Sequence, residues 1–273
     1  MLLQPRNCSF GEKLLLKNGA GVWGGKSLFE RGWCLGVSPF LKGAKKSELK
    51  KPSFYRLYKM WISIEANIGA GKSTLLRELM KRYSEIINVI GEPLDDWQAM
   101  VDESRGNQNI LELFYKNIPE YAFSFQMNAL KTRIEKNNRE KQETKINIVE
   151  RSIISDHYVF AKKLKDEGRM NLIEWQVYCA WYKWLSEAFN ILPDAMIYLR
   201  CSPEIAYERV KKRNRPEEAS ITLEYLQSLH QYHEELLIGN PNLNVKVIDV
   251  NDDFEENDDR IGEIFGKIFG EGQ

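Results

Sequence analysis

From residue 60 onward, short apolar runs alternate with longer segments in which apolar residues recur every third or fourth position. Residues 61–66, 88–91, 145–150, 195–200 and 245–250 are the short runs, and each is bounded by polar residues or turn formers. Runs of that length, carrying residues such as Ile62, Ile64, Ile146, Ile148 and Val149, predict strands. A helical period marks residues 74–83, where Leu75, Leu76, Leu79 and Met80 share one face. Further helices are predicted at 110–115, 121–137, 155–165, 172–190, 203–213 and 223–237, and the polar stretch 102–109 reads as a loop. Strands alternating with helices predict an α/β fold, a five-stranded parallel sheet with helices on both faces. Ligands bind such sheets beyond the C-terminal ends of the strands. Glu65, Glu92, Glu150 and Arg151 all fall at those ends.

Composition narrows the class. An apolar fraction of 43% over 273 residues suffices for a core, and no run of 18 apolar residues predicts a membrane span. Cys8, Cys34, Cys179 and Cys201 form no CxxC pair, and the three histidines have no metal-ligand spacing, which argues against a disulfide framework or a zinc site. The net charge of zero hides an asymmetry: residues 1–59 carry 12 Lys and Arg against 3 Glu, and the remainder carries 27 basic and 36 acidic residues. Residues 1–59 also hold 8 of the 18 glycines and keep no steady period, so they read as a flexible basic extension ahead of a folded unit at 60–273. The extension could be a transit peptide, an arm for anionic surfaces, or unnecessary for function with the folded unit beginning at Met60, and the last is the favoured reading. A cytoplasmic location is the default expectation, and a mitochondrial one follows if the extension is a transit peptide. The acidic balance of the folded part argues against a nucleic-acid partner.

The chemistry is concentrated after the first strand. Ala66-Asn67-Ile68-Gly69-Ala70-Gly71-Lys72-Ser73-Thr74 has the spacing of a phosphate-binding loop running into a helix. Its small residues let backbone N–H groups face phosphate oxygens, Lys72 is set to reach the terminal phosphates, and Ser73 to hold Mg²⁺. Glu150 is the strand-end carboxylate expected to assist the metal, and Glu65, beside the loop, is the first candidate for a general base. Arg209, Arg213 and Arg215 lie in a basic segment that could close over phosphates as a lid. Tyr178, Trp181, Tyr182 and Trp184 crowd one helix, so an exposed apolar face there would suit a dimer.

Four segments together resemble the deoxyribonucleoside kinase family: Glu65–Thr74, Glu92-Pro-Leu-Asp-Asp-Trp97, Glu150-Arg151-Ser152, and the stretch from Tyr198 to Arg209. The resemblance runs from residue 60 to about residue 254 and is nearest the deoxycytidine and deoxyguanosine kinases. It implies a P-loop kinase fold with an Arg-rich lid, ATP as phosphate donor, Mg²⁺, and a homodimer formed through a helix bundle. It further implies that Glu65 is the general base and that Arg151 binds the 5′-hydroxyl. Tyr115 and Glu218 would bind the sugar 3′-hydroxyl, and Gln126 would pair with the base. Trp97 and Phe160 would sandwich that base, and Asp253 and Phe254 would hold the donor base. By the same resemblance Arg133 and Asp156 pair over the base edge, which favours deoxycytidine or a purine deoxynucleoside over thymidine. Ala66 stands where the family usually has glycine. The alternatives are a nucleoside monophosphate kinase resembling thymidylate kinase, and a non-catalytic nucleotide-binding subunit.

Overall fold

A computed structural model describes residues 60–189, 191–254 and 257–269, so the extension expected at 1–59 lies outside the described residues. β1 (Trp61–Glu65) leads through the loop at 66–71 into α1 (Lys72–Tyr83) and then β2 (Ile87–Ile90). After α2 (Leu94–Ala99) come the two-residue strands β3 (Val101–Asp102) and β4 (Gln108–Asn109), then α3 (Ile110–Lys116) and α4 (Ile118–Glu140). β5 (Ile146–Glu150) is followed by one irregular helix, α5, over residues 153–166. The chain continues through α6 (Leu172–Ala188), β6 (Ala195–Arg200), α7 (Pro203–Arg213), α8 (Leu223–Leu237), β7 (Val245–Asp249) and α9 (Asp258–Phe269).

The five predicted strands form one sheet in the order β2-β5-β1-β6-β7, with every pair parallel. Ile62 of β1 stands beside Ile148 of β5 and Ala195 of β6. Every residue of β5 and all but the first of β1 are buried, so both faces of the sheet are covered. One core packs Ile62, Ile64, Ile148 and Ile197 against Leu75, Leu79, Leu226 and Ile264. A second gathers Trp97, Phe114, Phe125, Leu130, Tyr178 and Tyr182 among α2, α3, α4 and α6. Its rings interlock: Phe114 stacks on Phe125 at 4.6 Å, and Trp97 meets Phe125 edge-on at 5.2 Å.

Several elements differ from the expected ones. α2 forms where a loop follows the second strand, with Asp95 and Asp96 favouring its N-terminal turn and Trp97 buried in the core. The expected loop at 102–109 is a small antiparallel hairpin, turned by Asp102, which accepts from the Ser104 N–H, and by left-handed Gly106. α4 starts at Ile118 because Pro119 fits a helix's first turn. α9 escaped the sequence reading, although Ile261, Ile264, Phe265 and Ile268 keep a helical spacing and are buried. Within α5, residues Asp156–Ala161 adopt a π-helical turn.

β1 is central, and the chain moves to one side of it for β2 and β5 and to the other for β6 and β7. That reversal opens a crevice above the C-terminal end of β1, where the phosphate loop lies.

Candidate active site

The loop at 66–71 is shaped by two left-handed glycines, Gly69 at φ 81° and Gly71 at φ 91°. A Cβ on Gly69 would lie 2.3 Å from the Ala206 carbonyl of α7, and one on Gly71 would lie 2.8 Å from the Phe254 ring. Only glycine meets both the backbone and the space at these positions. Ala66 shows no positive φ and is fully buried, so the methyl in place of the usual glycine is accommodated. α1 has no side-chain N-cap and no acid in its first turn, so its N-terminal end suits an anion. Lys72 is buried and donates to the Asn67 carbonyl at 3.0 Å. Burial, then Arg151, lowers its ammonium to about 8. An uncapped helix end beside crowded cations fits a polyphosphate. Asn67 tethers the loop to α8 by donating to the Leu226 carbonyl at 2.8 Å.

The loop forms one end of a cavity of about 720 Å³. Its walls include Ile68, Gly69, Gly71, Lys72, Ser73 and Thr74, together with Glu92, Glu150, Arg151, Arg133 and Asp156. Ser73 Oγ donates to Glu150 Oε1 at 2.9 Å. Among the described residues no group of three or more His, Cys, Asp or Glu could hold a metal ion. A hydroxyl beside one carboxylate instead fits Mg²⁺, which keeps most of its waters.

Three acids and two arginines form the centre. Arg151 donates to Glu92 Oε1 at 2.9 Å and to the Ala66 carbonyl at 3.1 Å, and its guanidinium lies 4.3 Å over the Phe160 ring. Arg133 donates to Asp156 Oδ2 at 2.6 Å, to the Glu150 carbonyl at 2.6 Å and to Glu92 Oε1 at 3.3 Å. Burial pushes the Glu92 carboxyl up, but Arg151 and Arg133 outweigh it and hold it at about 2. Burial alone would lower the Arg133 guanidinium, yet Asp156 and Glu92 raise it above its usual range. Asp156 is drawn upward by burial against the pull of Arg133, and the 2.6 Å contact keeps the pair ionic.

Glu65 is placed differently from the expectation. Its side chain is 0% exposed, takes no part in the cavity wall, and accepts the Ser152 N–H at 3.0 Å. A base must reach the proton it takes, so Glu65 does not fit that role. Glu92, by contrast, faces the cavity beside Arg151. The signal for it was its place at the end of the second strand. Ala66, Asn67 and Ala70 likewise support the loop from behind, for none of them lines the cavity.

The remaining expected residues converge. Trp97, Tyr115, Gln126, Phe160 and Glu218 all line the cavity. Trp97 is fixed by its indole N–H, which donates to Thr132 Oγ1 at 3.0 Å. Gln126 is 4% exposed, next to Phe125 and about one turn before Ala129 on α4, and all three line the cavity. Burial raises the Tyr115 phenol well above its usual range, and Glu218 adds to the effect. Phe114 and Phe125 also line the cavity, and no sequence signal separated them from ordinary core aromatics. Arg213 donates to Glu218 Oε1 at 2.7 Å, and Arg215 lies 3.8 Å from the same oxygen. Arg209 binds the carbonyls of Val250, Asn251 and Asp252, which fastens α7 to the segment carrying Asp253 and Phe254.

A family model described as deoxynucleoside kinase matches residues 62–270. A probable deoxycytidine kinase of fowlpox virus is 38% identical over 76% of this chain and 86% of its own length. Deoxycytidine kinase 2 of Gallus gallus is 38% identical over 71% of this chain and 83% of its own. A mitochondrial deoxyguanosine kinase of Xenopus laevis is 34% identical over 72% and 83%. With the parallel sheet, the phosphate loop and the acid–arginine centre on one cavity, this match establishes that the chain belongs to the deoxynucleoside kinase family.

Proposed function

We propose that this ATP-dependent nucleoside kinase acts on deoxycytidine or a purine deoxynucleoside ahead of thymidine, with Glu92 as the base. The observation that carries the selectivity is the buried Arg133–Asp156 pair on the cavity wall. Its polar atoms suit the exocyclic groups of cytosine or a purine, and its bulk opposes a thymine methyl. A site built to hydrogen-bond rejects a ligand that leaves its buried groups unpaired.

In this reading Arg151 holds the 5′-hydroxyl against Glu92. As the oxygen–phosphorus bond forms and the bond to ADP breaks, the hydroxyl proton passes to Glu92. Lys72, Arg213 and Arg215 offset the charge that builds on the moving phosphoryl group. Ser73 and Glu150 would hold Mg²⁺, which would neutralise charge on the donor phosphates. Tyr115 and Glu218 would bind the 3′-hydroxyl, Gln126 the base edge, and Trp97 and Phe160 the base faces. Asp253 and Phe254 would meet the donor base. Glu92 and Glu150 also favour a nucleoside over its monophosphate, whose charge they would repel. Activity on deoxycytidine but not on its monophosphate would support this reading, and activity on the monophosphate alone would refute it.

A homodimer formed through α6 belongs to the same proposal. Leu172, Ile173, Val177, Trp181 and Trp184 are exposed and follow one helical stripe, with Trp184 at 56%. A stripe of that kind favours a second copy over solvent. No described helix is long and apolar enough to cross a membrane. The cytoplasmic reading and its mitochondrial alternative both turn on residues 1–59.

A further inference from the structure

We infer that Glu65 is a positioning residue: its carboxylate holds the backbone after β5 in the left-handed turn that aims Arg151 at Glu92. Arg151 has φ 68°, a left-handed conformation that strains a residue bearing a side chain. Such strain persists only where the surroundings over-determine it. Here two consecutive residues of β1 grip the turn. The Arg151 N–H donates to the Ile64 carbonyl at 3.0 Å, and the next N–H, that of Ser152, donates to Glu65 Oε1 at 3.0 Å. Oε2 of Glu65 is buried without a partner. A buried carboxylate with a single bond is costly to keep, and that bond goes to the residue following the strained one.

The consequence reaches both sides of the cavity. With the turn held, Arg151 meets Glu92 and the Ala66 carbonyl. Ser152 Oγ accepts the Ser155 N–H at 3.2 Å and so caps the helix that carries Asp156. Without Glu65 the buried Ser152 N–H would lose its acceptor, and residue 151 would be free to relax to negative φ and withdraw its guanidinium. The role needs an acceptor oxygen rather than a charge. It rests on the reading of Arg151 and Glu92 given above.

The test compares kcat, its pH profile and the urea midpoint for Glu65→Gln and Glu65→Ala, each alone and combined with Arg151→Ala. The amide oxygen of Glu65→Gln still accepts from Ser152, so kcat stays within about threefold and the pH profile is unchanged. Glu65→Ala lowers kcat by about tenfold to a hundredfold, and that loss shrinks below about twofold in the Arg151→Ala background. A hundredfold loss in folded Glu65→Gln would overturn the inference, because the charge itself would then matter. So would full activity of Glu65→Ala, or an equal loss in both backgrounds, which marks a role unconnected with Arg151. Glu92→Gln, measured in parallel, tests the base separately, so the two ideas fail independently.

Discussion

Glu92 lies between two arginines that hold its carboxyl at about 2, so it is ionised across the physiological range. Glu92→Gln keeps the shape and still accepts from Arg151, but it cannot take the proton. Steady-state assays should therefore give kcat lower by about 10²–10⁴-fold, with the urea midpoint little changed. Arg133 and Asp156 make a different prediction. Removing one partner leaves a buried charge alone and costs about 3–5 kcal/mol. Replacing both, as Arg133→Leu with Asp156→Ala, removes that penalty and makes room for a methyl group. The ratio of kcat/KM for thymidine to that for deoxycytidine should rise by about tenfold or more. Most residues of this centre were legible as strand-end acids and arginines. The exception is instructive: Glu65 is next to the loop in sequence but points beneath the Ser152 turn, whereas Glu92 arrives from a different strand. Side-chain direction at a strand end depends on neighbours that sequence distance conceals.

At the scale of elements, the loop and α7 act as one unit through Gly69. Gly69→Ala would force a Cβ to within 2.3 Å of the Ala206 carbonyl at a positive φ. The expected result is a loss of about 2–3 kcal/mol in urea unfolding, with a higher KM for ATP. The strands were readable because buried parallel strands are short, continuous apolar runs. α2 was not, since six residues give too few turns for a period and its Trp97 is held by tertiary contacts. The π-helical turn in α5 was also hidden, because an extra residue per turn leaves no mark on an apolar pattern. It carries Asp156 and Phe160, which both face the cavity, so the irregular stretch is the functional one.

For the whole molecule, two buried histidine rings bear on acid stability. The His157 ring stacks on Tyr182 at 4.0 Å, and burial lowers it to about 3, as it does His233. Both rings are neutral when folded, while the unfolded chain binds a proton at each below about 6.5. Their contribution is therefore present at neutral pH and lost as pH falls from about 6.5 toward 3. The urea midpoint should drop between pH 7 and 5, and by less in His157→Phe, which keeps the stack. On the outer surface, the proposed contact through α6 predicts that Trp181→Glu with Trp184→Glu gives a monomer in light scattering after size exclusion, where the unaltered chain gives a dimer. The substrate of the cavity is the central claim. The most direct measurement is kcat/KM for deoxycytidine, deoxyadenosine, deoxyguanosine and thymidine, with ATP and Mg²⁺ and the full-length protein. The account predicts that deoxycytidine or a purine deoxynucleoside leads and thymidine trails by about tenfold or more; thymidine as the best substrate would contradict it.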